Sequence, residues 1–152
     1  MRYLLLLFAL LVLAACGTAQ VPKSETQAAS PAQKLAPELQ KASRDSAMQF
    51  LLTAAASDFH THGRPGPLRF RDVQLCHVLT PDAGERYMLC GQFLRTEEKG
   101  KSQWIHFTTI KTSGYEQWIG GQGAGFCQDS SVIWDKVGDL SSLLQSRYDS
   151  QR

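Results

Sequence analysis

The sequence predicts an α+β domain in which an amphipathic helix packs on an antiparallel sheet of four or five strands, followed by a short C-terminal helix. Two observations predict it. Apolar residues recur at helical spacing over 44–61 and again after Asp139, whereas the segment between them alternates apolar runs with turn residues. Consecutive strands joined by short turns form an antiparallel meander, and helices cover one face of it. A small closed barrel with peripheral helices is the alternative architecture.

The first helix is predicted over residues 44–61, with residue 38 as an alternative start. Ser43 and Asp45 are candidate N-caps, and Gly63 is the first part of a stop signal. Its apolar stripe has the period of a helix that buries one face. The stripe comprises Ala47, Phe50, Leu51, Ala54 and Ala55 and is widened by Met48, Leu52 and Phe59.

Four strands are predicted to follow, because apolar and polar residues alternate between clusters of Pro, Asp, Gly and charged residues. The glycine-dense segment 120–125 is predicted to be a loop or an irregular strand, and a last short strand covers 131–134. Asp139 is a candidate N-cap for the C-terminal helix. The four meander strands span residues 68–79, 86–95, 102–111 and 115–119.

An apolar leader opens the chain. Arg2 precedes an apolar run over residues 3–13, which is shorter than the roughly 20 residues of a membrane-spanning helix and typical of a signal peptide. The segment Leu13-Ala14-Ala15-Cys16 resembles the lipobox of bacterial lipoproteins, and this resemblance covers the N-terminal segment alone. It implies removal of residues 1–15, a thioether-linked lipid on Cys16 and acylation of its new amine.

The resemblance also implies a cellular location. Gly17 stands where lipoproteins retained in the inner membrane carry aspartate, so we expect a protein anchored in the outer membrane and facing the periplasm. Each buried methylene contributes about 0.8 kcal/mol to membrane binding, so a multiply acylated terminus stays in the bilayer. An ordinary secretory leader, which would leave Cys16 unmodified, is the alternative.

The composition divides the remaining chain into two parts. Residues 16–37 are rich in Ala, Gln, Ser, Thr and Pro, which predicts a lipidated flexible tether, and residues 38–152 form a single periplasmic domain. Of the 16 Lys and Arg residues only Arg2 lies in the leader, and they are matched by 14 Asp and Glu residues. This near-neutral charge argues against nucleic-acid binding.

Three cysteines follow Cys16, which in an oxidising compartment predicts one disulfide and one thiol. Strand alternation places Cys76 and Cys90 on the same side of the predicted hairpin, which would allow them to pair. A Cys90–Cys127 bond would instead fasten the glycine-dense segment and close a longer loop. We favour the second pairing and expect the remaining thiol to be buried.

The sequence contains no nucleophile elbow, phosphate-binding loop or zinc-ligand spacing, so we expect neither enzymatic activity nor a cofactor nor a metal. His60 and His62 fall at the end of the predicted helix and are expected to be solvated. A hydrolase would require His77 or His106 to lie in a deep pocket.

A binding patch is the remaining hypothesis, since tyrosine and tryptophan are enriched at interface hot spots. We expect Tyr115, Trp118, Gly120 and Gly121 to line it; the alternative is that the aromatic residues of this half build the core of the sheet. The predicted function is that of a non-enzymatic binding or structural accessory of an envelope assembly, such as a secretion or conjugation apparatus. Its partner would be an unidentified envelope protein.

Inhibition of a host or phage lysozyme-type enzyme is the alternative function. The segment Lys111-Thr112-Ser113-Gly114-Tyr115 resembles the Ser-Gly-x-x-Tyr loop of membrane-bound lysozyme inhibitors. It departs from that loop because Tyr115 directly follows the glycine.

Overall fold

The computed structural model describes residues 31–63, 68–81, 84–96 and 100–151, with side chains from residue 37 onward. The predicted signal peptide, Cys16 and most of the predicted tether lie outside the described residues. Within them, no helix combines the length and the apolar character needed to cross a membrane. The helices and strands are α1 (Pro31–His62), β1 (Phe70–Thr80), β2 (Gly84–Thr96), β3 (Ser102–Lys111), β4 (Tyr115–Ile119), α2 (Gly121–Cys127), β5 (Ile133–Trp134) and α3 (Ser141–Asp149).

The predicted α+β fold class is confirmed. The strands form one antiparallel sheet in the order β4-β3-β2-β1-β5, so the four long strands make the predicted meander and β5 returns to the free edge of β1. Because side chains alternate along a strand, consecutive residues of β2 belong to different layers. Leu89 packs under α1 and α3, whereas Met88 and Cys90 pack on the face that carries α2.

The main core lies between the sheet and α1, and aromatic rings fill its centre. The ring of Phe59 on α1 lies 5.2 Å from that of Phe107 on β3 and 5.0 Å from that of Phe93 on β2. Phe107 is completely buried. Aromatic pairs at these separations contribute about 0.5–1.5 kcal/mol each beyond the area that they bury.

Helix α1 begins earlier than the sequence predicts. Its backbone is helical from Pro31 rather than from residue 44 or 38, so its first turns overlap the predicted tether, which was placed over residues 16–37. Proline is favoured at a first helical position because its missing N–H has no partner there in any helix. The sequence of residues 31–43 has no broad apolar stripe, which is why periodicity did not reveal these first turns.

The prediction for the glycine-dense segment is wrong, because Gly121–Cys127 forms helix α2 rather than a loop or a strand. Glycine is a poor helix former, so the local pattern favours a loop. Tertiary contact overrides it: a Cβ atom at Gly123 would lie 2.7 Å from the carbonyl oxygen of Trp118 and 3.2 Å from the Cα of Phe107. The absence of a side chain lets α2 lie directly on the sheet.

Two alanine substitutions in α2 test this account. Gly123→Ala is expected to lower the free energy of unfolding by about 1–3 kcal/mol, the range for overpacking a close contact. Gly125→Ala is the matched control, since its Cβ would meet nothing within 4 Å, and it should stabilise the helix by up to about 1 kcal/mol. Urea denaturation measures both. Equal effects of the two substitutions would contradict close packing at Gly123.

A bulge in β1 forms hydrogen bonds with the start of α3. The register shifts between Arg71 and Gln74, and Asp72 adopts a φ of 53°. The amide of Val73 donates to the Ser141 hydroxyl at 3.1 Å, and its carbonyl accepts from the amide of Leu140 at 2.7 Å. The bulge therefore leaves both backbone groups of Val73 free to hold the last helix.

Asp139 supports this junction, but the prediction that it is the N-cap residue is wrong. The N-cap residue of α3 is Leu140, and Asp139 directly precedes it. One carboxylate oxygen of Asp139 accepts hydrogen bonds from the hydroxyl of Ser141 at 2.5 Å and from its amide at 2.9 Å. The hydroxyl bond is the main reason that the pKa of Asp139 is held below its usual value.

This depressed pKa predicts a pH-dependent contribution to stability. Ionised Asp139 should stabilise the fold fully above the unfolded-state pKa of about 3.9, and the contribution should disappear as the pH falls through the lower folded value. Asp139→Asn retains an acceptor without the charge. We expect wild type to be more stable than this variant at pH 7 and the gap to close as the pH falls through the folded-state pKa of Asp139 in urea titrations. A gap independent of pH would contradict the assignment.

Candidate functional site

A cavity of about 570 Å³ opens on the α2 face of the sheet. It lies where β1, β2, β3 and β4 meet α2 and the segment that follows it, and its volume falls in the range of ligand-binding pockets. We call it the α2-face cavity. It is lined by Val78, Arg86, Met88, Ile110, Trp118, Gln122, Gly125, Phe126, Asp129 and Ser131.

The walls of the α2-face cavity are largely apolar. Met88 and Ile110 are directly opposite each other in the β2–β3 register and belong to the second core cluster. The rings of Trp118 and Phe126 lie 5.5 Å apart, and Phe126 is 38% exposed. The indole nitrogen of Trp118 donates to Glu116 at 3.1 Å, so its polar atom already has a partner. The cavity therefore presents aromatic surface to an incoming group.

The polar groups among the lining residues include Arg86 and Asp129. The carboxylate of Asp129 accepts from the hydroxyl of Ser131 at 2.6 Å and from its amide at 2.8 Å, which lowers the pKa of Asp129. Asp129 therefore shapes the turn after α2 and stays ionised. Arg86 adds one cation from β2, in register with Val78.

Helix α2 is fastened to the sheet at both ends. The predicted Cys90–Cys127 disulfide is confirmed, with a Cα–Cα distance of 6.1 Å. The hydroxyl of Thr108 donates to the carbonyl of Gly123 at 2.6 Å, and the amide of Gly120 donates to the carbonyl of His106 at 2.8 Å. These bonds make α2 a preformed wall of the cavity.

The alternative Cys76–Cys90 bond does not form in this structure. In the register of β1 and β2, Cys76 lies opposite Met88 and Cys90 lies opposite Gln74, so the two cysteines are diagonal neighbours. The Cys76 thiol is buried, as expected for the unpaired cysteine, and burial raises its pKa to about 12. It is therefore a protonated, shielded thiol at neutral pH.

The structure separates the residues of the predicted binding patch. Trp118 lines the cavity, but Tyr115 belongs to the other face of β4, where its hydroxyl donates to Asp58 on α1 at 3.2 Å. Residues three apart on a strand point to opposite faces, so these two cannot form one patch. Gly120 is the N-cap residue of α2 with a φ of 73°, and Gly121 is its first residue. Both support the wall of the cavity from its N-terminal end.

Sequence reasoning missed most of the cavity, including Met88, Ile110 and Phe126. Alternation in β2 and β3 was a usable signal for the first two, since it places them on the same side of the sheet as Cys90. Phe126 had no such signal, because its position depends on the unpredicted helix α2.

A second, polar cleft of about 210 Å³ lies beneath the N-terminal half of α1. Nδ1 of His77 lies 3.1 Å from a carboxylate oxygen of Asp135, and both side chains are largely buried. Tyr87 donates to Glu85, which also accepts from Gln40 of α1 at 2.6 Å. Burial, and then the bond to Glu85, raise the pKa of Tyr87, whereas the bonds from Tyr87 and Gln40 lower that of Glu85.

This cleft joins α1 to the sheet through paired polar groups. Its described lining contains no serine, threonine or cysteine, and the Tyr87 hydroxyl in it donates to Glu85. His106, the other candidate base, is exposed and lies 3.4 Å from the Gln92 amide nitrogen.

The histidines at the end of α1 differ in environment, and the expectation that both are solvated is wrong for His60. Its Nε2 lies 2.6 Å from the carbonyl oxygen of Tyr148, and its ring stacks on that of Tyr148 with centroids 4.4 Å apart. His62 is exposed and lies 3.2 Å from Asp58. Across the described part of the chain, no group of three or more His, Cys, Asp and Glu residues is arranged to hold a metal ion.

Comparison with protein-family models, curated proteins and solved structures found no match for this chain.

Proposed function

We propose that this chain is a periplasmic lipoprotein of the outer membrane that binds another envelope protein and catalyses no reaction. The leader and Leu13-Ala14-Ala15-Cys16 support the lipid anchor at Cys16, and Gly17 supports the outer membrane. In this proposal residues 1–15 are removed and the domain binds its partner through the α2-face cavity.

The observation that carries the binding role is the apolar α2-face cavity between the sheet and a disulfide-bonded helix. Trp118 and Phe126 contact each other at its surface, and aromatic residues of this kind dominate the energetics of protein interfaces. A preformed pocket loses little conformational entropy when it is filled. Its occupant would be apolar side chains of the partner protein.

The described chemistry of the polar cleft supports a non-enzymatic role. The polar side chains of the cleft already form hydrogen bonds with one another. His77 is paired with Asp135, and Glu85 accepts from Tyr87 and from Gln40 of α1. The cleft therefore contributes to the attachment of α1, and the α2-face cavity lies on the opposite face of the sheet.

The lipid anchor is tested by the mass of the native protein. Intact-mass spectrometry of the product purified from bacterial membranes should show loss of residues 1–15 and the added mass of acyl chains. Cys16→Ser should abolish both. An unmodified thiol at Cys16, or a leader still attached, would contradict the proposed anchor.

The binding surface is tested by affinity capture from cross-linked envelopes with a matched pair of variants. Phe126→Ala should reduce recovery of a stoichiometric partner at least tenfold, since hot-spot truncations cost about 2 kcal/mol or more. Phe50→Ala is the control, because Phe50 is equally exposed at 39% but lies on α1.

Equal recovery by both variants would contradict binding through the cavity. If wild type captures no partner but inhibits a lysozyme at micromolar concentration, the inhibitor alternative replaces the proposal.

A further inference from the structure

Three sulfur atoms meet beneath α2. The Sγ atom of the Cys76 thiol lies 3.6 Å from the Sγ atom of Cys90, which is itself bonded to Cys127. Cys76 is completely buried on β1 and its thiol also faces the carbonyl oxygen of Met88 at 3.7 Å. A nucleophile and a disulfide are thus in contact within one cluster, which the proposed binding role does not use.

We infer that the disulfide can migrate within the chain from Cys90–Cys127 to Cys76–Cys90. The Cys76 thiolate attacks the Sγ atom of Cys90, the bond to Cys127 breaks, and Cys127 leaves as a thiolate that takes up a proton. The three cysteines of this cluster hold one disulfide and one thiol both before and after the step. It therefore requires no oxidant and no reductant.

The position of Cys76 directs its attack to the sulfur atom of Cys90. The two cysteines lie on the same face of adjacent strands, so the new bond would link β1 directly to β2. The sulfur atoms must approach from 3.6 Å to about 2.05 Å. Side-chain rotation with a small shift between diagonal neighbours can supply that approach.

Migration would release the wall of the α2-face cavity. Cys127 is the last residue of α2 and follows Phe126 directly, so breaking its bond frees the end of the helix that carries this aromatic ring. The present bond spans 37 residues, whereas the alternative spans 14. The structure holds the Cys90–Cys127 bond, which is the resting form, and the Cys76–Cys90 isomer is the one with a loosened α2.

The exchange should be slow at neutral pH and accelerate with alkalinity. Burial of Cys76, and then the negative charge of Asp135 after β5, disfavour the thiolate. Its neighbours from β2 and α2 in the cluster, Met88, Cys90 and Cys127, carry no charge. Since the thiolate is the attacking species, the exchange rate should rise about tenfold per pH unit below the pKa of Cys76.

Thiol trapping on the folded protein tests the inference. The full chain carrying Cys16→Ser, purified in detergent, is incubated at pH 7 and pH 9, alkylated with iodoacetamide, and mapped by non-reducing peptide mass spectrometry. We expect alkylated Cys127 and a Cys76–Cys90 linked peptide to accumulate about a hundredfold faster at pH 9. Cys76→Ser should abolish both products. Alkylation of Cys76 alone at both pH values would overturn the inference.

A second variant keeps the test independent of that rate. Cys127→Ala in the same background leaves Cys76 and Cys90 as its only thiols, and oxidised glutathione should join them within one chain. Far-UV circular dichroism checks that the variant is folded. A folded variant that retains two free thiols, or that links only between chains, would also overturn the inference. Neither experiment depends on a partner, so failure here leaves the proposed binding role untouched.

Discussion

Truncation of Phe107 to alanine is expected to lower the free energy of unfolding by about 3–5 kcal/mol, the range for removing a buried aromatic side chain. Among the residues that the structure describes, Phe107 is the largest completely buried side chain, and its ring lies against Phe59 from α1 and 6.1 Å from the ring of Phe70 on β1. The substitution removes apolar burial and leaves a cavity that the surrounding sheet can only partly fill.

The position opposite Phe107 on β2 carries no side chain that could help to fill the gap. Phe107 is opposite Gly91 in the β2–β3 register, and a Cβ atom on Gly91 would lie 2.8 Å from the Phe107 ring. The ring therefore occupies the space that a side chain on β2 would fill. Its loss leaves bare backbone beneath α1.

Urea denaturation followed by circular dichroism measures the effect. Phe50→Ala is the matched control, because Phe50 is 39% exposed and its truncation should change stability by less than about 1 kcal/mol. Phe107→Leu should recover more than half of the lost stability, since it restores most of the buried volume. A loss below 1 kcal/mol in Phe107→Ala would contradict a core centred on this ring.

Removal of the disulfide is expected to lower stability by about 2–5 kcal/mol, the usual cost for a small domain. The double variant Cys90→Ala/Cys127→Ala abolishes the bond and leaves neither of its sulfurs as a free thiol. Its 37-residue loop is no longer constrained in the unfolded chain, and α2 loses the covalent bond at its last residue.

Cys76→Ala separates the covalent contribution from simple packing. It removes a completely buried sulfur from the same cluster but keeps the Cys90–Cys127 bond, so it should cost less than the double variant. Reducing agent should destabilise wild type and Cys76→Ala but not the double variant. If reduction leaves wild type unchanged, the disulfide makes no contribution to its stability.

The strands and their faces were predictable because their signal is local. Alternation along β2 placed Tyr87, Leu89 and Phe93 on one face and Cys90 on the other, and the core clusters confirm both assignments. Short turns between successive strands then required the meander. The sequence favoured the pairing of Cys90 with Cys127 over that with Cys76, because it fastens the segment after β4, and the structure contains that bond.

Helix α2 was not predictable in the same way, since its N-cap residue and three of its seven residues are glycine and local propensity opposes a helix. What stabilises it is non-local: the hydroxyl of Thr108, the sulfur of Cys90 and the close approach that Gly123 permits. Tyr115 and Trp118 are separated for a related reason. Strand β4 has a helix on each face, so its alternate side chains lie in different layers.

Local sequence therefore determined the leader motif, the meander and the face that each strand residue occupies, because these depend on residues only a few positions apart. The α2-face cavity and the helix that walls it were decided by tertiary structure alone. Each of them requires contact between segments distant along the chain, and such contacts leave no periodic pattern in the sequence of either segment.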